Sequence, residues 1–163
     1  MSIKQTVGDM AAGPAPEAFR STCNVLAVRQ ASRRLTHFYD QCMAPYGLRV
    51  TQFSILASLR RAGPLSINAL AAQMVMDRTT LGRNVLPLER AGLVKAAAAP
   101  GDRRSKELHI TEAGIARFRS AIKGWAEAQA RFEAAFGRER AASLRELLRE
   151  AAASTPEMAS ISL

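Results

Sequence analysis

The chain has 163 residues, 48% of them apolar, which suits one compact domain, or one domain plus a helical dimerisation element, and is too short for two large domains. It carries 23 basic and 14 acidic residues, and ten of the basic residues but only four of the acidic ones fall between residues 48 and 111. This concentration of positive charge supplies the salt-dependent attraction to phosphate that DNA binding needs, although a solvated basic surface has the same composition.

The sequence lacks the signals that are typical of several protein classes. There is no apolar run of 18 residues and no signal-peptide layout, so no membrane contact is expected and the protein is predicted to be cytoplasmic. No CxxC, HExxH, P-loop or GxGxxG motif occurs, so no metal or cofactor is expected. His37 and His109 fall on different predicted elements without a carboxylate pair or a nucleophile elbow, and an enzyme is therefore not expected.

The N-terminal part of the chain is predicted to be an arm followed by a helix. Residues 1–18 have little periodicity and are predicted to form a flexible arm. From Phe19 to Cys42, small and apolar residues recur at intervals of three and four, which predicts the first helix. Pro45 and Gly47 are expected to end it.

Three shorter helices are predicted next. Thr51 is the expected N-cap of the second helix and Ser66 that of a short third helix. After a turn, Asp77 is expected to cap the fourth helix, which Gly92 stops. Pro87 lies inside this fourth helix and should bend it.

The chain then changes to strands and returns to helices. Residues 93–96 and 106–110 are strand candidates, joined by a Pro-Gly-Asp turn. Thr111 is expected to cap a long fifth helix, and a last helix follows Gly137, with a tail at 156–163. The fifth helix has an apolar stripe of Ile115, Phe118, Ile122, Trp125 and Phe132. The last helix presents Leu144, Leu147, Leu148 and Ala151. Because the short helices are too small to cover these faces, a homodimer is expected.

The fourth helix begins with hydrogen-bonding side chains, as a DNA recognition helix must at the end that enters the major groove. The residues expected to contact DNA from this helix are Arg78, Thr79, Thr80, Arg83 and Asn84. Arg83 can pair bidentately with guanine. Ser66 and Asn68 are expected to donate to phosphates, which sets register rather than sequence.

The predicted hairpin adds a second basic element. Arg103 and Arg104 at its tip are expected to enter a flanking minor groove, and Lys106 belongs to the same set. Asp102 is expected to orient Arg104 by a local ion pair. Together these elements predict a mainly α fold, a winged helix-turn-helix with a small β-hairpin wing and with N- and C-terminal helices for dimerisation.

The order of five motifs resembles the multiple-antibiotic-resistance regulator (MarR) family over about residues 20 to 150. The motifs are Tyr-Gly-Leu-x-x-Thr-Gln-Phe at 46–53, Arg-Thr-Thr-Leu at 78–81, Leu-Glu-Arg-Ala-Gly-Leu-Val at 88–94, Gly-Asp-Arg-Arg-Ser at 101–105 and Leu-x-Ile-Thr-Glu-Ala-Gly at 108–114. Pro87 departs from the commonest form of the family.

The resemblance implies a homodimer that binds a pseudo-palindromic operator in double-stranded DNA, usually as a repressor released by a small phenolic ligand or by oxidation. It implies that Arg104 enters the minor groove with Asp102 beside it. Residues 48–111 would then form the DNA-binding domain, and residues 19–47 with 112–155 the dimerisation region.

The sequence is consistent with two alternative triggers for release from DNA. A small aromatic or lipophilic effector is expected where the first, second and fifth helices meet, and the candidate contacts are Arg34, His37, Phe38, Tyr39 and Trp125. The alternative is thiol oxidation at Cys23, because the start of a helix stabilises a thiolate and peroxide-sensing members of the family carry a cysteine near that place. A non-specific architectural DNA binder is a further alternative, which the charge permits.

Overall fold

The computed structural model describes residues 22–99 and 102–154, and it describes only the backbone of residues 102–105. Within these residues the chain forms six α-helices and one three-stranded antiparallel sheet, which confirms the predicted fold class. The predicted arm at 1–18, the tip of the predicted hairpin turn at residues 100–101 and the tail at 156–163 lie outside the described residues. None of the described helices is long and apolar enough to cross a membrane.

The described part of the chain divides into two compact units between His37 and Phe38. The boundary falls within α1 (Asn24–Met43). This helix confirms the first predicted helix. In the first unit the amide of Ala27 donates to the carbonyl oxygen of Cys23 at 3.1 Å, so Cys23 lies at the N-terminal end of α1. Val25 and Val28 are exposed there. The first unit thus presents apolar side chains on its surface.

The second unit holds the remaining elements. In chain order they are a 3-10 turn (Ala44–Tyr46), α2 (Val50–Ala62), β1 (Leu65–Ser66), α3 (Ile67–Gln73), α4 (Arg78–Arg90), β2 (Val94–Ala99), β3 (Asp102–Ile110), α5 (Glu112–Phe136) and α6 (Arg138–Ser154). Gly47 follows the 3-10 turn with φ of 67°, a left-handed conformation that glycine adopts without strain. The first helix itself ends at Met43, before Pro45, and Gly47 ends the 3-10 turn that follows it.

The start of α2 differs from the prediction. Thr51 is not its N-cap, because the helix begins at Val50 and its N-cap is Arg49, two residues before the predicted cap. Two other side chains satisfy the first amides: Asp40 Oδ1 accepts from the amide of Val50 at 2.7 Å, and Gln52 Oε1 accepts from the amide of Arg49 at 3.0 Å. A glutamine three residues after the cap is a recognised helix-start signal, and here it outweighs the threonine.

The other three predicted caps are confirmed. Ser66, Asp77 and Thr111 each accept a hydrogen bond from the backbone amide three residues later, at 3.1, 2.8 and 3.0 Å. A side-chain oxygen at this position satisfies an amide that has no partner within the helix, and its loss typically costs about 1 kcal/mol. Three helix starts are therefore fixed by local sequence.

One apolar core joins α2, α3 and α4 to the sheet. Its most deeply buried members from these helices are Ile55, Leu56, Leu59, Leu70, Leu81, Val85 and Leu88. Burying one such side chain contributes about 1.5–3 kcal/mol. Because Leu81, Val85 and Leu88 all belong to α4, the inner side of this helix is held firmly and its outer side is left to solvent.

The sheet has the order β1-β3-β2. β2 pairs with β3 from Val94↔Ile110 to Ala98↔Lys106, which confirms the two predicted strands and lengthens both. β1 was not predicted; Leu65 and Ser66 pair with Leu108 and Glu107. This short edge strand connects the start of α3 to the wing.

A close contact joins the wing to α5. The amide and hydroxyl of Thr111 donate to the carbonyl oxygens of Leu93 and Gly92 at 3.0 and 2.7 Å. A Cβ atom at Gly114 would lie 2.1 Å from the carbonyl oxygen of Leu93, so only glycine fits there. The glycine of the Leu-x-Ile-Thr-Glu-Ala-Gly motif therefore permits this packing.

The two C-terminal helices bury mainly small residues. Ala121, Ala128 and Ala141 are fully buried, whereas much of the predicted apolar surface is not. The exposed large side chains are Ile122, Trp125, Leu147 and Leu148. The predicted stripes on α5 and α6 are thus only partly covered within one chain.

Candidate nucleic-acid interface

The start of α4 is held by its N-cap residue, Asp77. Asp77 Oδ1 accepts from the amide of Thr80 at 2.8 Å. Hydrogen bonds from the hydroxyl and amide of Thr80 lower the pKa of the Asp77 carboxyl, so this group is ionised at neutral pH. A carboxylate at this end also complements the positive pole of the helix dipole. The first turn of α4, with Arg78 and Thr79 exposed, is therefore fixed in place.

The outward face of α4 follows from its buried face. Successive residues turn by about 100°, so the face opposite Leu81, Val85 and Leu88 is occupied by residues at intervals of four, three and four. These residues are Thr79, Arg83, Leu86 and Arg90, and all four are exposed. Thr79 and Arg83 are among the predicted contacts. Leu86 and Arg90 were missed, although the same helical spacing identifies them.

The remaining predicted residues of α4 lie beside this outward face. Arg78 and Thr80 are exposed, and Asn84 is half-buried. The side-chain amide of Asn84 donates to the carbonyl oxygen of Thr80 at 2.9 Å, so it is directed along its own helix. The helix runs on to Arg90 through Pro87, which is exposed. Pro87 thus lies on the accessible side of α4, away from the core.

The turn between α3 and α4 carries an unusual residue. Val75 has φ of 52°, a conformation that β-branched residues rarely adopt, and its side chain is 91% exposed. Its neighbours Met74 and Met76 pack against the apolar core. The turn is therefore anchored on both sides while Val75 points into solvent.

The predicted phosphate contacts lie at the start of α3. The Ser66 oxygen accepts from the amide of Ala69 at 3.1 Å, and its hydroxyl hydrogen can still be donated to a phosphate. Asn68, the second residue of α3, is exposed. Both residues therefore lie on the helix that precedes the turn to α4.

The wing is described in part. Lys106 on β3 is exposed and pairs with Ala98. The backbone of Asp102 pairs with Ala99. The side chains of Asp102, Arg103 and Arg104 lie outside the described residues. The described part of the predicted wing therefore consists of its two paired strands and the exposed Lys106.

An open pocket of about 400 Å³, the α2–Trp125 cavity, lies between α2 and Trp125 of α5. Its lining consists of Val50, Phe53, Ser54, Ala57, Ser58, Arg61 and Trp125. Phe53 stacks between Phe118 and Trp125, with ring centroids 4.8 and 6.4 Å away. Sequence reasoning selected Trp125 but missed Arg61 and the two serines, since only the packing of α2 against α5 brings them together.

The other predicted ligand and redox residues have different surroundings. Tyr39 donates to Gln129 Oε1, and burial raises the pKa of its phenol. Phe38 lies under the guanidinium of Arg131, 5.2 Å from its centre. In the first unit, Arg34 and His37 are exposed and Cys23 is half-buried. Phe38 and Tyr39 are thus in contact with α5, outside the lining of the α2–Trp125 cavity.

A helix-turn-helix whose second helix presents a polar and basic outward face, followed by a two-stranded wing, defines a winged helix-turn-helix DNA-binding protein. Comparison with known proteins places it more narrowly. Residues 48–106 match the model of the MarR family. The chain is 30% identical over 112 residues to the HTH-type transcriptional regulator PecS of Dickeya dadantii (strain 3937), covering 67% of this chain and 68% of PecS. The chain belongs to the MarR family of DNA-binding transcriptional regulators.

Solved structures agree with this assignment. The M. tuberculosis transcriptional regulator MosR in complex with DNA is 33% identical, with a TM-score of 0.68 over 82% of this chain and 99% of that one. The transcriptional repressor CouR bound to a 23-mer DNA duplex is 26% identical, with a TM-score of 0.75 over 85% of this chain and 99% of that one. Both similar proteins were therefore captured on DNA.

Proposed function

We propose that this regulator is a homodimeric repressor in which each subunit inserts α4 into the major groove of one half of a pseudo-palindromic operator. The observation that carries the proposal is the start of α4, where Asp77 fixes the first turn and Thr79 and Arg83 face outward. N-terminal residues of a recognition helix contact base edges, and a dimer contacts two half-sites about 34–36 Å apart. The repressor role is supported by the similarity to CouR, which is itself a repressor bound to DNA.

The residues divide by role. Arg83 would pair with guanine, and Thr79 and Thr80 would contact neighbouring base edges. Arg78, Ser66, Asn68 and Lys106 would bind phosphates and so set the register. Arg103 and Arg104 would enter the minor groove from the wing, with Asp102 orienting Arg104. Asn84 would contribute less than the sequence suggests, because its amide already donates within α4.

The proposed dimerisation region consists of residues 19–47 and 112–155. Its support is the apolar surface that one chain leaves uncovered: Leu147 is 63% exposed and Leu148 41%, and Ile122 and Trp125 are exposed on α5. In the first unit Val25 and Val28 are exposed as well. Covering such faces with a second copy is the usual outcome for a symmetric dimer.

Binding to DNA from a random selection tests the proposal. The selected duplex and a scrambled duplex of the same composition are compared by fluorescence anisotropy at about 0.15 M salt. A preference of roughly 10³-fold or more is expected of a specific regulator. Equal, weak binding to both duplexes would contradict the proposal and favour an architectural binder. Light scattering of the free protein and of the complex measures the expected dimer.

We propose that the α2–Trp125 cavity takes a small aromatic anion that releases the DNA. Phe53 and Trp125 form an aromatic wall, while Arg61 supplies a cation. A cavity of about 400 Å³ is within the range of small-molecule sites, roughly 300–1,000 Å³. The pocket joins α2, which belongs to the DNA-binding domain, to α5, which belongs to the proposed dimerisation region. A bound ligand would therefore affect the angle between α2 and α5.

The test uses 4-hydroxybenzoate as a probe with three proteins: wild type, Arg61→Gln and Arg60→Gln. Arg60 is the matched control, because its guanidinium lies over the ring of Phe118 and it does not line the cavity. Release of DNA by the probe should require more ligand in Arg61→Gln and the same amount in Arg60→Gln. Equal responses of all three proteins would remove this cavity from the proposal.

Thiol oxidation at Cys23 is the alternative trigger. Its support is that Cys23 lies at the N-terminal end of α1 and is partly exposed, whereas Cys42 is buried. Peroxide should then release DNA from the wild type and leave the complex of Cys23→Ser intact. Release from both proteins, or from neither, would argue against Cys23 as the sensor.

A further inference from the structure

The outward face of α4 contains one apolar side chain among polar ones. Leu86 is 45% exposed and shares this face with Thr79, Arg83 and Arg90. A single exposed leucine is common on protein surfaces and needs no explanation by itself. The position of Leu86 distinguishes it, because it follows Arg83 by three residues on the surface that meets the DNA in the proposed function.

The surroundings of Leu86 make this part of α4 apolar. Pro87 is exposed next to it and offers neither a polar side chain nor an amide hydrogen. Between Arg83 and Arg90 the outward face therefore has no side-chain hydrogen-bond donor or acceptor. Among the described side chains of residues 48–111, the only other large apolar residue with comparable exposure is Val75, in the turn before α4. The side chains of Leu86 and Pro87 therefore cannot form a hydrogen bond with a base edge.

The major groove offers one apolar group, the 5-methyl group of thymine. Leu86 lies about 4.5 Å beyond Arg83 along the helix axis, and successive base pairs are about 3.4 Å apart. The two side chains can therefore contact adjacent base pairs. We infer that Leu86 is a specificity-determining residue that contacts a thymine methyl group next to the guanine paired with Arg83. This inference rests on the proposed reading of DNA by α4.

Replacement of thymine by uracil tests the contact, because it removes only the methyl group. Each thymine of the selected operator half-site is changed to uracil in turn, and anisotropy gives the affinity of each duplex. Removing a methyl group from an apolar contact is expected to weaken binding about four-fold at one position. In Leu86→Ala the penalty at that position should disappear, while penalties elsewhere remain.

Two control variants separate this contact from general effects. Leu86→Met keeps a large apolar side chain and should keep the uracil penalty. Val75→Ala truncates the other exposed apolar residue of the domain and should leave the penalty at the same position unchanged. Because Leu86 is exposed, its variants are expected to fold, and circular dichroism checks this.

The outcomes are distinguishable. A uracil penalty that Leu86→Ala abolishes and Val75→Ala retains supports the inference. Identical uracil penalties in wild type and Leu86→Ala, with specific binding intact, would overturn the contact and leave the proposed function standing. Failure of the wild type to prefer the selected duplex over the scrambled one would overturn both.

Discussion

Helix α4 and the pair α5 and α6 satisfy their apolar side chains in different ways. In α4 the large residues Leu81, Val85 and Leu88 are buried within the chain, at most 2% exposed, and the opposite face is mostly polar. In α5 and α6 the buried positions are held by alanines and glycines, while large residues such as Trp125 and Leu147 remain exposed. Helix α4 thus buries its large apolar side chains within one chain, and α5 and α6 do not.

In the proposed function, this difference gives the two regions different roles. A helix that is to read DNA must present its side chains in fixed positions, and burial in its own core fixes α4 without a partner. Helices that are to join two subunits must keep apolar surface available until the partner arrives. Substitutions of the exposed apolar residues of α5 and α6 should therefore act through assembly, and substitutions in α4 through local stability or base contacts.

The largest effect is expected from Leu147→Asp. A charge placed on the most exposed leucine of α6 should prevent the partner from covering this face. Loss of the second half-site should then lower operator affinity by about 100-fold or more. Sedimentation velocity measures the dimer and anisotropy the affinity. Ala142→Asp is the control. Ala142 is exposed on the opposite side of α6, so its substitution should change neither the dimer nor the operator affinity. A Leu147→Asp protein that remains dimeric would contradict the proposal that the exposed apolar face of α6 joins two subunits.

Gly114→Ala tests the junction of the two regions. Its Cβ atom would lie 2.1 Å from the carbonyl oxygen of Leu93, so the wing and α5 must separate to accept it. Overpacking of this kind should lower the free energy of unfolding by about 3 kcal/mol. Urea unfolding measures the change. A loss smaller than about 0.5 kcal/mol, which is typical of an unremarkable surface substitution, would mean that the contact is not required.

The same substitution in α4 should act in the opposite direction. A Cβ atom at Gly82 would have Ile67 Cδ1 at 4.0 Å as its near neighbour, which is ordinary contact. Gly82→Ala should therefore raise the free energy of unfolding by about 1 kcal/mol through helix propensity alone. Operator affinity should stay unchanged, because Gly82 lies off the outward face. Lower affinity with higher stability would show that DNA approaches the backbone at Gly82.

The smallest effect is expected at the cap of α4 and depends on pH. Since the folded protein holds the pKa of Asp77 below its ordinary value of 3.8, its stabilising contribution is complete above that value and is lost as the pH falls further. Wild type should therefore be more stable than Asp77→Ala at about pH 7, and the difference should shrink below about pH 4. Thermal unfolding of both proteins measures it. A difference that is independent of pH would mean that the carboxylate charge does not matter.

Local signals predicted much of this fold. The caps at Ser66, Asp77 and Thr111 were predictable because each hydrogen bond spans three residues of sequence. The buried face of α4 followed from helical spacing. The predicted N-cap at Thr51 was wrong because Gln52 and the distant Asp40 accept the first amides and so determine the start of α2.

Features made by distant residues were not predictable. The strand Leu65–Ser66 exists because it pairs with β3, and its two residues carry no pattern of their own. The alanines of β2 are poor strand formers that pairing with β3 holds extended. The α2–Trp125 cavity brings Arg61 and Trp125 together across 64 positions of sequence. Side-chain direction also escaped prediction: Asn84 donates within its own helix, and Leu86 shares the face of Arg83.

The central claim is that α4 reads the bases through Arg83, and an affinity profile of the operator tests it most directly. Every base pair of one half-site is substituted in turn, and binding is measured for wild type and Arg83→Ala. At one G·C pair the wild type should lose about 10- to 100-fold in affinity, and Arg83→Ala should be indifferent to the substitution. If Arg83→Ala instead binds every duplex more weakly by the same factor, Arg83 contacts a phosphate and the assignment of α4 as the reading helix fails.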